Sequence, residues 1–289
     1  MSTVISVVQQ SGGVGKSTSV FNLAHIYASM NINVLAIENE TQSDLMAFLF
    51  GRNETLNINV PNGVVDVENG SIVTGSAHAI NLYRENAEIK PIFIKENLSF
   101  IGSTKHLSSI LSAPFEDVVY TFIDNIEKLK SQYDIILIDC PPTESNLQKA
   151  AILASDYVLI PTFLEQKSIG GIAGTIQLVN SLNTRIKSRM QSKTEILGIF
   201  ITQYSYTNNI RKESSLVLEQ SYYEKLTNLY PDHLLKSKIS YSMKIRESAA
   251  LNISIIEYIN GNKSSIRIAN EYESLANEIL DRINGSNKL

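Results

Sequence analysis

One stretch restricts this chain more than any other: Gln10-Ser11-Gly12-Gly13-Val14-Gly15-Lys16-Ser17-Thr18, set between a β-rich run at 4–8 and a helical stretch at 16–30. Its glycines let backbone N–H groups close around anionic oxygens with no Cβ in the way, and the next helix begins with its positive end toward them. Lys16 is placed to reach outer phosphates and the Ser17 hydroxyl to ligate Mg²⁺. The usual spacing, G-x-x-x-x-G-K-[ST], puts glycine where this chain has Gln10. The Gly-Gly-x-Gly-Lys-Ser core between a strand and a helix still reads as a phosphate-binding loop. Ser11 to Thr18, each position included, are the candidate nucleotide contacts.

The rest of the chain supplies a matching frame. Apolar runs at 32–37, 98–101, 134–139, 157–160 and 195–202 read as strands, as does 91–95. "DIILID" at 134–139 is nearly continuous, as in a strand buried on both faces. Helical rhythm marks 42–50, 115–130, 169–190, 208–229 and 268–283, whereas 51–90 reads as small strands, turns and at most one short helix. Strand, crossover helix, strand, repeated, predicts an α/β fold with a mostly parallel central sheet flanked by helices. No Pro/Ser-rich linker divides the 289 residues, so one domain over 1–289 is expected. A single cysteine, Cys140, excludes an internal disulfide framework or a four-cysteine metal cage, and points to the cytoplasm. No segment approaches eighteen continuous apolar residues, so no membrane span is expected.

Two further elements complete a hydrolytic constellation. Asp139 ends the "DIILID" strand, where a carboxylate can hold a Mg²⁺-bound water near phosphates. Glu38-Asn39-Glu40-Thr41-Gln42 ends the second strand and offers two carboxylates spaced i, i+2, one for the metal shell and one for the attacking water. Cys140 reads as a small buried side chain, not a nucleophile.

With these residues in place, the chain resembles the ParA/MinD class of deviant-Walker P-loop ATPases, most of all the plasmid and chromosome partition proteins of the ParA/Soj type. The resemblance runs through "YDIILIDCPPT" (133–143), "AILASDYVLIPTFLEQKSIGG" (151–171), "ILGIFITQY" (196–204) and "IRESAALNISIIEYINGNKS" (245–264). It implies an ATPase using ATP and Mg²⁺, with Lys16, Ser17 and Thr18 gripping the triphosphate. Asp139 is then the Walker B carboxylate, Glu38 stands in the metal shell, and Glu40 occupies the position tied to hydrolysis. It further implies an ATP-driven homodimer that binds double-stranded DNA non-specifically on the nucleoid. A small centromere-binding protein would stimulate hydrolysis and release.

Two features depart from that pattern. The family's lysine that reaches across the dimer should stand at position 11, where this chain has Ser11, a neutral donor without a cationic contact. Both aspartates of the Asp-x-Asp-Pro-Gln segment are glutamates here, with Thr41 in place of proline. Slow turnover is therefore expected. The alternatives are a nucleotide-gated scaffold with weak or no hydrolysis, and a MinD-like positioning ATPase. The latter would need a basic C-terminal amphipathic helix, but Glu271, Glu273, Glu278 and Asp281 line the polar side of the last helix, which predicts packing on the sheet. Charge is uneven: residues 1–180 carry −8 and residues 181–289 carry +4. Arg211, Lys212, Lys236, Lys238, Lys244 and Arg246 are the candidate phosphate-backbone contacts to DNA.

Overall fold

The computed structural model describes residues 2–185, 193–204, 213–259 and 263–286. β1 (Thr3–Val7) runs through the glycine loop into α1 (Lys16–Ser29), followed by β2 (Val34–Glu38) and the short α2 (Asp44–Phe50). A hairpin of β3 (Val65–Glu68) and β4 (Ser71–Thr74) stands outside the main sheet, and a 3-10 turn at Ala79–Tyr83 follows it. Next come β5 (Ile92–Lys95), β6 (Leu98–Ile101), a 3-10 segment at Lys105–Ser112, α3 (Phe115–Leu129) and β7 (Ile135–Asp139). α4 (Asn146–Ala154), β8 (Tyr157–Thr162), α5 (Gln166–Arg185), β9 (Glu195–Tyr204) and α6 (Glu213–Leu229) continue the alternation. β10 (Leu234–Ser240), α7 (Met243–Ala250) and α8 (Lys263–Ser286) end it.

Eight strands form one sheet in the order β10-β9-β8-β1-β7-β2-β6-β5. Every neighbouring pair is parallel except β5 with β6. β7 is buried along its whole length, which is why its sequence shows no alternation. One face of the sheet packs Ile5, Val7 and Leu137 against Leu23 and Tyr27 of α1 and Tyr272 and Leu275 of α8. The other face packs Leu35, Ile136 and Ile138 against Phe122 and Ile126 of α3, Ile152 of α4 and Ile172 of α5. The stripe Ile268, Tyr272, Leu275, Ile279 and Ile283 on α8 is buried in the first of these cores, as its acidic polar side predicts.

Topology decides where a ligand can sit. From β1 the chain crosses to β2, leaves a gap that β7 later fills, and then passes to β8 on the other side of β1. Ligands of such sheets bind outside the strands' carboxyl ends at this reversal. Asp139 pairs in register with Val7 on one side and Glu38 on the other, so the loop and both acidic segments leave the sheet at one level.

Among the described residues, α4, β10, α7 and the 3-10 segment at Lys105–Ser112 go beyond the sequence reading. β10 carries Lys236, Ser237 and Lys238 in its middle and lies at the sheet's edge, so no apolar run announces it. Its outward N–H groups are satisfied from α8 instead. Lys236 and Ser237 donate to the two oxygens of Glu278 at 2.8 Å each, and Ser240 donates to Glu271 at 2.7 Å. Carboxylates that occupy an edge in this way also block pairing with another chain.

Candidate functional site

The loop is built where its sequence demands it. Gly13 and Gly15 take φ of 75° and 85°, a region in which a Cβ is strained, and Gly15 caps α1. A Cβ on Gly12 or Gly13 would meet nothing within 4 Å, so the loop's backbone is open on its outer side. Behind it, the Thr202 hydroxyl of β9 contacts the carbonyls of Val14 at 3.0 Å and Thr162 at 3.2 Å, tying the loop to two strand ends. Lys16 is buried, and its Nζ donates back to the Ser11 carbonyl at 3.3 Å. Ser17 and Thr18 are half-buried at the start of α1. Beside them a cleft is lined by Gly15, Thr18, Thr202, Gln203, Tyr241 and Arg246.

Across the loop stands Asp139, fully buried, with the Ser17 hydroxyl beside it but neither carboxylate oxygen in a well-formed hydrogen bond. Burial pushes its carboxyl up to about 7; Ser17 and Lys16 pull downward, while Glu40 and Asp44 push further up. An orphaned anion in that position is costly, and a cation beside it would supply the missing partner. Glu40 is also buried, and burial raises its carboxyl, with Lys16 opposing and Asp44 adding. Glu38 is spent differently. Its Oε1 accepts the backbone N–H groups of Leu45 at 2.7 Å and Met46 at 3.3 Å, at the start of α2, whereas Oε2 has no partner. Burial and then the Asp139 charge hold its carboxyl well above the usual range.

Between the two glutamates, Asn39 is fixed on every side. Its N–H donates to the Asp139 carbonyl at 2.9 Å and its amide to the Leu147 carbonyl at 2.8 Å, while the Tyr83 hydroxyl donates to its Oδ1 at 2.7 Å. The donor set fits a nucleoside triphosphate with Mg²⁺: open amides, an inward lysine, a serine hydroxyl and an unpartnered carboxylate. Mg²⁺ typically takes one or two protein oxygens plus phosphate oxygens, so no larger cluster of acids is needed.

Ser11 does not face outward. It is buried, and its hydroxyl donates to the Lys167 carbonyl in the first turn of α5 at 3.4 Å. Lys167 itself is exposed and has no ion pair among the described residues. Its only sequence signal is a lysine six residues after Pro161, inside a segment that reads chiefly by its apolar and glycine pattern. Ser103, which holds the Glu40 segment from the end of β6, is likewise invisible in the sequence, because serine has no motif of its own.

Of the DNA candidates, Arg211 and Lys212 lie outside the described residues. Lys236 is exposed on β10. The Lys238 amine sits over the Tyr223 ring at 3.6 Å and the Tyr204 ring at 4.7 Å, and Lys244 pairs with Glu247 at 2.6 Å. Arg246 is exposed on the wall of the cleft beside the loop, not on a separate face.

A family profile described as an AAA domain, AAA_31, matches residues 2–192. The chain belongs to this ParA/MinD-type family. The chromosome-partitioning ATPase Soj of Treponema pallidum is 25% identical over 98% of each chain. Among solved structures, an ATP complex of a McdA variant from Cyanothece superposes with a TM-score of 0.76 at 19% identity, covering 97% of this chain and 96% of the other. A plasmid partition protein of Borrelia burgdorferi bound to AMPPNP gives 0.70 at 23% identity, covering 99% and 100%. The two structural likenesses establish the fold, and the homologous partition ATPases support a ParA-family role. Among the described residues no helix is long and apolar enough to cross a membrane.

Proposed function

We propose that residues 1–289 form one Mg²⁺-dependent ATPase domain that partitions a plasmid or chromosome. The observation that carries this reading is the buried, unpartnered carboxylate of Asp139 level with the glycine loop and its inward Lys16. Loop amides from Ser11 to Thr18 bind the triphosphate, and the cleft toward Arg246 leaves room beside them for the rest of the nucleotide. Ser17 and Asp139 hold the metal, which when bound neutralises charge on the β- and γ-phosphate oxygens. Lys16 swings from the Ser11 carbonyl to the phosphates. Glu40 orients the attacking water. ATP drives a face-to-face homodimer, the dimer binds double-stranded DNA through phosphate contacts, and a small centromere-binding protein stimulates hydrolysis and release. The working place is the nucleoid in the cytoplasm.

The inward-turned Ser11 favours a second reading, a nucleotide-gated scaffold with feeble hydrolysis, unless another cation serves the phosphates. Exposed Lys167, one hydrogen bond from Ser11 through its own backbone, is the side chain we assign to that task. The test is phosphate release from MgATP with DNA and the genomic neighbour that encodes a DNA-binding partner. Lys16→Ala should abolish nucleotide binding by calorimetry. Glu40→Gln should keep binding and cut turnover by about 10²-fold or more, as expected for loss of a water-orienting group. Equal turnover in wild type and Glu40→Gln would reject the ATPase assignment of Glu40, and unchanged affinity in Lys16→Ala would reject the loop.

A further inference from the structure

The segment that carries Glu40 leaves β2, turns, and enters α2 within six residues, and both of its ends are tied. Glu38 Oε1 reaches forward to the N–H groups of Leu45 and Met46, closing residues 38–46 into a ring. Across that ring, the Ser43 hydroxyl donates to the Ser103 carbonyl at 2.8 Å, and the Ser103 hydroxyl donates to the carbonyl of Glu40 itself. Ser43 holds φ at 58°, a left-handed turn that a serine adopts only under outside constraint. Glu38, Ser43 and Ser103 are all buried.

We propose that Glu38 is a positioning residue that acts as a hydrogen-bond acceptor, closing the 38–46 ring and, with the Ser43–Ser103 latch, setting where the Glu40 carboxylate stands. This replaces the expectation that Glu38 serves the metal shell by its charge, and it rests on the assignment of Glu40 to the attacking water. The physical need is plain. Glu40 has one more rotatable bond than an aspartate, so its carboxylate sweeps a larger volume unless its backbone is held. Misplacement by about 1 Å can cost on the order of 10²-fold in rate. Thr41, unlike proline, leaves φ free on the residue after Glu40, so restraint has to come from outside the backbone. The ring and the latch supply it: one carboxylate oxygen for two amides, one serine for the Glu40 carbonyl. An acceptor role and a charge role make opposite demands on a glutamine, which keeps the accepting oxygen and cannot ionise.

The experiment uses the full chain. Amide hydrogen exchange of the nucleotide-free protein is followed over 39–50, and phosphate release and the half-saturating Mg²⁺ concentration are measured in parallel. Glu38→Gln should keep wild-type protection at Leu45 and Met46, turnover within about threefold and an unchanged Mg²⁺ requirement. Glu38→Ala should lose that protection and about 10- to 100-fold in turnover, with nucleotide affinity retained. Ser103→Ala, which leaves Glu38 intact, should lower turnover in the same way without weakening nucleotide binding, and it decides the matter if Glu38→Ala does not fold. A Glu38→Gln protein that keeps its exchange pattern but needs tenfold more Mg²⁺ or loses turnover overturns the proposal, as does Ser103→Ala turnover equal to wild type. Should the wild type release no phosphate, the ATPase reading falls, and the exchange pattern of the Glu38 variants still decides whether the ring depends on the acceptor.

Discussion

Ser11 shows how one side chain alters the demands on its neighbours. Its hydroxyl is turned inward to the Lys167 carbonyl, and the Lys16 amine is drawn to the Ser11 carbonyl, so the loop's first residue braces the site and offers it no charge. A γ-phosphate that gains charge in the transition state needs a cation, and a neutral donor is a poor substitute. Lys167→Ala should therefore lower ATP turnover by about 10-fold or more, with little change in melting temperature, because removing one donor from such a site costs on this scale or above. Ser11→Lys in that background should restore part of the loss. Phosphate release by the single and double variants measures both effects, and a fully active Lys167→Ala protein would leave the phosphates without a cation beyond Lys16.

Residues 251–259, which follow α7, work as a clasp. Asn252 donates its amide to the carbonyls of Ala47 and Phe48 at the end of α2, at 3.0 and 3.2 Å. The Ile255 N–H donates to Asn22 of α1 at 2.9 Å. Glu257 meets His25 of α1 at 3.2 Å and Lys95 of β5 at 2.7 Å, and accepts from Ser254. His25, then Lys95 and Ser254, hold the Glu257 carboxyl well below the usual carboxylate range. Burial works against Glu278 on α8, but the Ser237 and Lys236 donors and Arg282 outweigh it, so its carboxyl is also lowered. A carboxyl lowered by folding stabilises the native state when ionised. That contribution is complete above the unfolded value of about 4.3 and is lost progressively as pH falls from there through the lower folded value. The melting temperature should therefore drop as pH falls from about 5 to about 2, and Glu257→Gln should make that drop shallower while lowering stability at pH 7. Circular dichroism melts across this range check it; parallel curves for variant and wild type would show that the clasp owes nothing to the charge.

Charge and assembly belong to the molecule as a whole. A net charge of −4 with +4 gathered in residues 181–289 makes the C-terminal part of the chain the one expected to attract phosphate backbones. With Lys238 against two tyrosine rings and Lys244 paired to Glu247, Lys236 and Arg246 are the exposed members of the set among the described residues. Light scattering should show a monomer or weak dimer without nucleotide and a dimer with a non-hydrolysable ATP analogue. Filter binding to unrelated duplexes should then give nucleotide-dependent affinity that ignores sequence and falls steeply with salt. Charge reversal at Lys236 and Arg246 together should weaken it by at least about tenfold. Salt-insensitive or sequence-specific binding would contradict phosphate readout.

Much of this could be read from residue order because its causes are local. Gly13 and Gly15 mark the loop, since no other residue tolerates that positive-φ backbone so readily. Continuous apolar runs such as 135–139 imply a doubly covered parallel strand, and Asp139 at the end of one implies a carboxylate facing the crevice. Other features depend on partners far apart in the chain. Ser11 lies 156 residues from the carbonyl it contacts, Ser103 lies 63 from the one it latches, and β10 is completed by carboxylates 31 to 42 residues further on. A serine or an edge strand carries no local pattern that distinguishes those destinations. Glu38 and Glu40 are the sharpest case: two identical side chains at i and i+2, whose different work follows from which one the turn into α2 brings within reach of two backbone amides. Local sterics and hydrophobic period suffice for the first kind of feature, whereas only the closing of loops between distant strands can settle the second.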